Sequence, residues 1–483
     1  MIALGRSARH SEGRETELTS TVVRYFSFLA RQRRGSPHNA GRVGATLSRA
    51  TMPPIDVLMV GAGEYTTGCV FTEAGAAPDK PAGVVAITFA DMRRRGLVGE
   101  MVLCDAVGTR MPVVRETMKR KIGDVYKKMD LTMATLPADD VPFDPDAYKA
   151  AIARVKKGSV VTIFTPDDTH HAIALACIEA GLHVLCAKPV VKKLEDHLSL
   201  AAAAKKHGVL CAVEYHKRFD PIYADARDRI RSHLGPFSFF ASTMTQPKAQ
   251  LDTFKGWAGK SSDISYYLNS HHMDVHAWSV RGASRPERVT AFAANGAAER
   301  RLAPTDGRTI EDTICLVVEW RNADGSRGVA NYTASWIAPR ADCHTQQYFH
   351  YMGHAGEIRA DQAHRGYAAA TDANGYAALN PLYMKYTPSP DGTFAGQRGY
   401  GYRSIEAFVE AAVEINEGHA SVEDISKRDV LATIDATARV TAMLEAGRVS
   451  LDNGSRAVIL EYPDGAGDVD ADFDAEPVGI RLE

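Results

Sequence analysis

The sequence predicts an α/β fold in two parts, and three observations predict it. Val57–Val60, Val160–Phe164 and Val209–Val213 are apolar runs without polar alternation, as expected of parallel strands buried on both faces. The first runs straight into Gly61-Ala62-Gly63, and a strand that ends in Gly-x-Gly before a helix brings bare backbone N–H groups towards a pyrophosphate. From Pro236 onwards the pattern changes to longer strands, with Asn322-Ala323-Asp324-Gly325 as a hairpin turn between two of them. The fold class is therefore α/β: an N-terminal Rossmann dinucleotide-binding domain plus a C-terminal α+β domain with an open, mostly antiparallel sheet.

The bulk numbers narrow the function. The chain has 483 residues, 45% of them hydrophobic and 24% charged, with a formal net charge of -2. Neither nucleic acid nor an anionic membrane is expected as partner at a pI near 6.8. No apolar run reaches the roughly 20 residues that span a bilayer. The 7 cysteines are scattered without a C-x-x-C pair, which fits reduced thiols in a cytoplasmic setting and gives no signal of a disulfide framework or a structural zinc site.

Residues 1–51 read as an extension outside the fold. Between Leu18 and Ile55 there are six arginines and no acid, so mitochondrial targeting is the alternative to disorder. Residues 52–220 form the dinucleotide-binding domain, 221–460 the substrate and oligomerisation domain, and 461–483 an acidic tail; the C-terminal helices are expected to pack back on the first domain. Past Gly68 a helix to about Ala76 is expected, then a second strand at Val84–Phe89 that ends at Asp91 before Arg93-Arg94-Arg95. An acid at the end of the second strand reads a ribose 2′-hydroxyl, and an arginine there accepts a 2′-phosphate. Three arginines beside one aspartate favour NADP(H), with NAD(H) as the alternative. Val113–Met129 has a helical pattern, Leu131–Pro145 reads as loop, and 171–180 as a helix stopped by Gly181. Further helices are read at Leu194–Lys206, Ser404–Glu417 and Val430–Ala446, the last stopped by Gly447.

Several motifs then recur in order: Thr165-Pro166-x-x-x-His170, Ala180-Gly181-Leu182-His183-Val184, Lys188-Pro189 and Tyr215-His216-Lys217-Arg218-Phe219-Asp220-Pro221. Together they resemble the Gfo/Idh/MocA oxidoreductase family from Ile55 to about Leu460. The resemblance implies a sheet whose face covers a nicotinamide. Cofactor contacts are expected from Gly61, Gly63, Glu64, Tyr65 and Thr66, from Asp91, Arg93 and Arg94, and from Thr165, Pro166, His170 and Lys188. Two departures stand out: Ala187 precedes Lys188-Pro189 where the family has Glu, and Tyr267 replaces the first acid of the family's Asp-x-x-x-His-x-x-Asp, leaving His271 and Asp274.

On a helix, Tyr267, His271 and Asp274 would share a face. Hydride addition to a carbonyl leaves an alkoxide that needs a proton and a nearby cation. Lys188 is the expected cation, and either Tyr267 or His271 the proton-transfer group. Arg218, His216, Asp274 and His272 are expected at the substrate, with Arg218 preferred over Lys217 as a clamp for an anion because guanidinium binds carboxylate at two points. A metal held by His271, His272, His276 and Asp274 is the alternative at this stretch. Within the family, the Gly-Glu-Tyr-Thr-Thr-Gly loop, the Arg93-Arg94-Arg95 turn and the Tyr-Leu-Asn-Ser-His-His segment look most like the fungal-type D-galacturonate reductases. The expected reaction is reduction of a sugar-acid aldehyde, D-galacturonate to L-galactonate. The expected partner is a small sugar or uronic acid, and a second copy of the chain in a dimer or tetramer. A dinucleotide-binding regulator without chemistry and an NAD-dependent glycosidase are the rivals.

Overall fold

The computed structural model describes residues 53–71, 80–343, 345–373, 375–463 and 471–483. The expected leader at 1–51, the expected helix beyond residue 71 and residues 464–470 of the tail lie outside them. The first sheet is built from β1 (Ile55–Val60), β2 (Val98–Cys104), β3 (Ala134–Leu136), β4 (Val160–Ile163), β5 (His183–Cys186) and β6 (Cys211–Val213). The second domain contributes β7 (Phe237–Pro247), β8 (Ser284–Asn295), β9 (Glu311–Asn322), β10 (Arg327–Ala338), β11 (Gln346–Gly353), β12 (Gly356–Asp361), a hairpin β13–β14 (Ala368–Thr371 and Gly375–Ala378), and later β15 (Ala432–Thr433), β16 (Val458–Glu461) and β17 (Gly479–Leu482).

In the first sheet the order is β15-β6-β5-β4-β1-β2-β3, parallel except for the edge strand β15. The order reverses between β1 and β4, and in such sheets a ligand crevice opens beyond the carboxyl ends of the strands at that point. The second sheet runs β12-β11-β7-β10-β9-β8-β16-β17, antiparallel apart from the β7–β10 pair. β9 alternates strictly, with Ile314, Leu316, Val318 and Trp320 buried on the inner face. Against that face lies the helix Ser270–Ser279, every residue of which is buried.

The expected second strand is wrong. Val84–Phe89 is part of a helix, Val85–Arg94, in which all residues from Val85 to Met92 are buried. A short continuous apolar run marks full burial and does not by itself separate helix from strand. The glycine-loop helix is a single turn, Glu64–Thr67, closed by Gly68 at φ 76°. Cys69–Phe71 are not helical, so the helix expected past Gly68 does not start there. The chain comes back at Gly83, where a Cβ would sit 2.7 Å from the Thr66 carbonyl oxygen. The Val84 N–H then donates to the Tyr65 carbonyl at 2.7 Å. Two helical pieces, Glu64–Thr67 and Val85–Arg94, thus lie between β1 and the real second strand, β2, which ends at Cys104 just before Asp105.

Smaller differences have equally local causes. The helix expected over Val113–Met129 is Met111–Met118 followed by one π turn, and β3 lies inside the stretch read as loop. The last long helix is Ala438–Asp452, because residues 432–433 pair with β6 instead. Gly447 does not stop that helix. A Cβ there would fall 2.3 Å from the Leu316 side chain, so the glycine lets the helix sit close on the sheet. The described end of the acidic tail is ordered by partners: Glu476 takes Arg439 at 2.8 Å, and β17 pairs with β16.

Candidate active site

A cleft of about 1240 Å³ lies beyond the carboxyl ends of β1 and β4 and reaches under the second sheet. At one end is the glycine loop. A Cβ on Gly61 (φ 99°) would meet the Phe164 carbonyl oxygen at 2.1 Å, so this glycine allows β1 to turn tightly against β4. A Cβ on Gly63 would meet nothing within 4 Å among the described residues, and Gly63 borders the open cleft. Asp105 follows β2 in that cleft. Its carboxylate accepts the Ala62 N–H at 2.9 Å and the Val107 N–H at 3.0 Å, and Arg110 stands 3.8 Å away. Backbone room at Gly63 and an acid held at the second strand's end fit a dinucleotide.

Asp91, Arg93 and Arg94 are not in this cleft. Asp91 is fully buried and receives Arg94 at 2.6 Å and the Tyr402 hydroxyl at 2.7 Å. Arg95 reaches Tyr402 and Glu406, while Arg93 donates to the Thr132 carbonyl. This cluster fastens the helix Val85–Arg94 to the helix Tyr400–Asn416. His170 is also withdrawn: its two ring nitrogens lie 2.9 Å from the Pro189 and Thr165 carbonyl oxygens. It ties the Thr-Pro turn to the Lys-Pro turn and does not line the cleft. Thr66 is buried behind the loop. Glu64, Tyr65, Thr165, Pro166 and Lys188 do line it.

At the other end the structure brings Lys188, Tyr267 and His271 together. Lys188 follows β5. Its Nζ lies 4.0 Å above the centre of the Tyr267 ring and donates to the Tyr267 carbonyl. Burial pulls its ammonium down to about 7, with Asp167 opposing and Lys80 adding to the fall. The carboxylate beside Lys188 is thus Asp167, from the loop after β4, where Ala187 offers none. The shared helical face of Tyr267, His271 and Asp274 does not form, because Ser265–Asn269 is a π turn. Tyr267 instead packs between Phe254 and Trp257, at 5.1 and 5.3 Å. The His271 ring stands 5.2 Å from His216, and its Nδ1 is buried with no hydrogen-bond partner among the described residues. Burial, then Lys188 and Lys217, hold His271 well below the usual histidine range, so it is neutral at pH 7.

The substrate set needs three corrections. Arg218 forms a buried two-point pair with Asp274, at 2.9 and 2.6 Å, and packs on Trp278, so neither Arg218 nor Asp274 faces the cleft. His272 is fully buried and bonds the Tyr223 hydroxyl at 2.9 Å. His276 bonds the Tyr332 hydroxyl at 2.6 Å and stacks on Phe240. The histidines of this helix point to separate partners and do not converge on a metal.

His216 does line the cleft, and the cation that joins it there is Lys217. Lys217 is buried, donates to Gln347 and Gln362 from β11 and the end of β12, and is pulled down to about 7 by burial despite Asp220. Glu214, Tyr383 and Tyr400 also line the cleft, none of them among the expected site residues. Glu214 accepts the Ser404 hydroxyl at 2.7 Å, and burial raises its carboxyl to about 7. Tyr65 stacks on Phe164, and its hydroxyl lies 3.5 Å from His216 Nδ1. Glu214 directly follows β6 and adjoins the Tyr215–Pro221 motif, whereas Tyr383 and Tyr400 come from the loop before, and the first residue of, the helix Tyr400–Asn416.

Residues 55–215 match the model of the Gfo/Idh/MocA group, described as an oxidoreductase family with an NAD-binding Rossmann fold. Over 130 residues the chain is 39% identical to scyllo-inositol 2-dehydrogenase (NAD(+)) of Bacillus subtilis (strain 168), covering 26% of this chain and 38% of that protein. A similar match, 27% identical over 150 residues and 40% of the relative, is to the NADP(+)-named scyllo-inositol 2-dehydrogenase of the same organism. The chain thus spans about two fifths of the curated relatives it matches. Solved structures extend the likeness in fold. GenD2 from gentamicin A biosynthesis, in complex with NAD, covers 87% of this chain and 100% of its own at 19% identity and a TM-score of 0.57. An inositol dehydrogenase homologue from Azotobacter vinelandii, complexed with NADH and myo-inositol, covers 84% and 97% at 18% identity and 0.55.

Proposed function

We propose that this chain, whose residues 55–215 belong to the Gfo/Idh/MocA oxidoreductase family, is an NAD(P)-dependent oxidoreductase that interconverts a hydroxyl and a carbonyl on a sugar, polyol or sugar acid. The observation that carries the reading is one continuous cleft with a glycine loop at one end and Lys188 facing His271 at the other. Gly63 and Asp105 would hold the dinucleotide, and Asp105 favours the 2′-hydroxyl of NAD(H) over the NADP(H) that the displaced arginines suggested. When bound, the nicotinamide exchanges hydride with a substrate carbon.

The chain's residues handle the proton and the charge. The Lys188 ammonium stabilises negative charge on the reacting oxygen. Neutral His271, with Nδ1 unpartnered, takes the hydroxyl proton as the carbonyl forms and returns it in reduction. His216, Tyr65 and Glu214 line up behind it as a path to a carboxyl poised near neutrality. Lys80, Lys188 and Lys217 all act on the same histidine, His216, which supports an anionic substrate. D-galacturonate, reduced to L-galactonate with Lys217 at its carboxylate, is the specific candidate. The test is nicotinamide absorbance with each dinucleotide on D-galacturonate, myo-inositol and scyllo-inositol. Turnover lost in Lys188→Met supports the reading; no turnover on any sugar acid or polyol, with dinucleotide still bound, refutes it.

A further inference from the structure

At the rim of the cleft, three donors of different chemistry converge. A carboxylate oxygen of Asp342, Cys343 Sγ and a ring nitrogen of His364 all lie within 4.8 Å of one another. Asp361 completes the group. Its Oδ2 lies 3.0 Å from His364 Nδ1, while Asp342 Oδ2 lies 3.2 Å from Nε2. These four side chains offer two carboxylates and a thiol around a single imidazole. The arginine next to His364, Arg365, is committed to Asp220. A bound cation would relieve that excess of negative charge and take the thiol as thiolate.

The donor set also selects the cation. Magnesium and calcium take oxygen ligands, whereas a thiolate with an imidazole and one carboxylate suits zinc. Metal-bound imidazoles commonly pass their other N–H to a carboxylate, which fixes the ring. Asp361 already holds that place, and its Oδ1 accepts the Ala363 and His364 N–H groups at 2.9 and 3.1 Å. We propose that Asp342, Cys343 and His364 bind a zinc-type divalent cation, with Asp361 orienting His364. Three protein ligands leave the fourth tetrahedral position to water or a substrate oxygen.

The placement gives the site a consequence. Asp342 and Cys343 precede β11, and Asp361 and His364 lie at and beyond the end of β12. Gln347 and Gln362, the two partners of Lys217, sit just inside these points. A cation here pins the two chain segments that set the Lys217 end of the cleft, and Cys343 itself lines that cleft.

The test is Co²⁺ titration of the full chain after metal stripping, read by absorbance, with Zn²⁺ as competitor. The expected result is a thiolate-to-cobalt charge-transfer band with intense tetrahedral d–d bands, saturating at one equivalent and bleached by Zn²⁺. Cys343→Ser and His364→Ala remove the band, Asp361→Asn weakens affinity about tenfold, and Cys315→Ser, with its thiol on another strand, leaves the band intact. The readout needs no turnover, so it stands apart from the oxidoreductase reading. No charge-transfer band in the wild type, or a band that persists in Cys343→Ser, overturns the proposal.

Discussion

Asp91, in the last turn of its helix, and Asp105, just past β2, each have arginine nearby, yet only one belongs to the cleft. Asp91 has spent its oxygens on Arg94, Tyr402 and Gln397, in a cluster that joins two helices. Asp105 spends its own on two backbone N–H groups and faces the cleft beside Gly63. Lys217 and Arg218 repeat the contrast between adjacent residues: Lys217 meets the cleft with two glutamines, and Arg218 is closed against Asp274. A charge whose partners are all protein core is a fastening. A charge that borders the cleft with capacity left is a candidate for ligand.

The largest expected break in this contrast is at Lys188. Lys188→Met should lower kcat/KM by about 10³ or more, in the range lost with a proton-transfer or charge-stabilising group, while dinucleotide affinity stays within a few-fold. Stopped-flow rates and equilibrium titration separate the two. Arg218→Met should do the reverse. It leaves the buried Asp274 unpaired and should cost about 3 kcal/mol of stability, read by urea unfolding, with kcat of the folded fraction nearly unchanged.

A smaller effect is expected at Lys217. Lys217→Met should raise KM for a uronate about tenfold, the loss of roughly one charged hydrogen bond, and spare a neutral polyol. Equal losses on both substrates would remove the anion role. The mildest test is pH. Lys188 and Lys217 both titrate near 7. A lysine is charged below its pKa, so reduction of a uronate should fall as pH rises through about 7. Lys217→Met should flatten the KM part of that fall and keep the kcat part.

Most of the fold was legible because strand and turn signals are local. β1, β4 and β6 lie at the apolar runs Val57–Val60, Val160–Phe164 and Val209–Val213, and the Asn322–Gly325 turn joins β9 to β10. The expected second strand failed because a fully buried helix and a buried strand share one apolar signature. That error carried the cofactor reading to Asp91. Lys188, Tyr267 and His271 were legible through motifs within single segments. Lys217's glutamines and the Asp342–Cys343–His364 group were not, since each depends on elements apart in the chain. Gly447 shows the limit from the other side: the same residue type that ends helices here lets one pack closely on Leu316.

The most direct test of the contrast is dinucleotide affinity, read by nicotinamide fluorescence during titration with NADH and NADPH. Wild type, Asp105→Ala and Asp91→Asn are compared. The account predicts that Asp105→Ala weakens NADH about tenfold or more, as expected for a lost hydrogen bond to a charged group, and narrows or reverses its advantage over NADPH. Asp91→Asn should keep the wild-type ratio and melt at a lower temperature. Loss of NADH affinity in Asp91→Asn while folded, with Asp105→Ala unaffected, would contradict it.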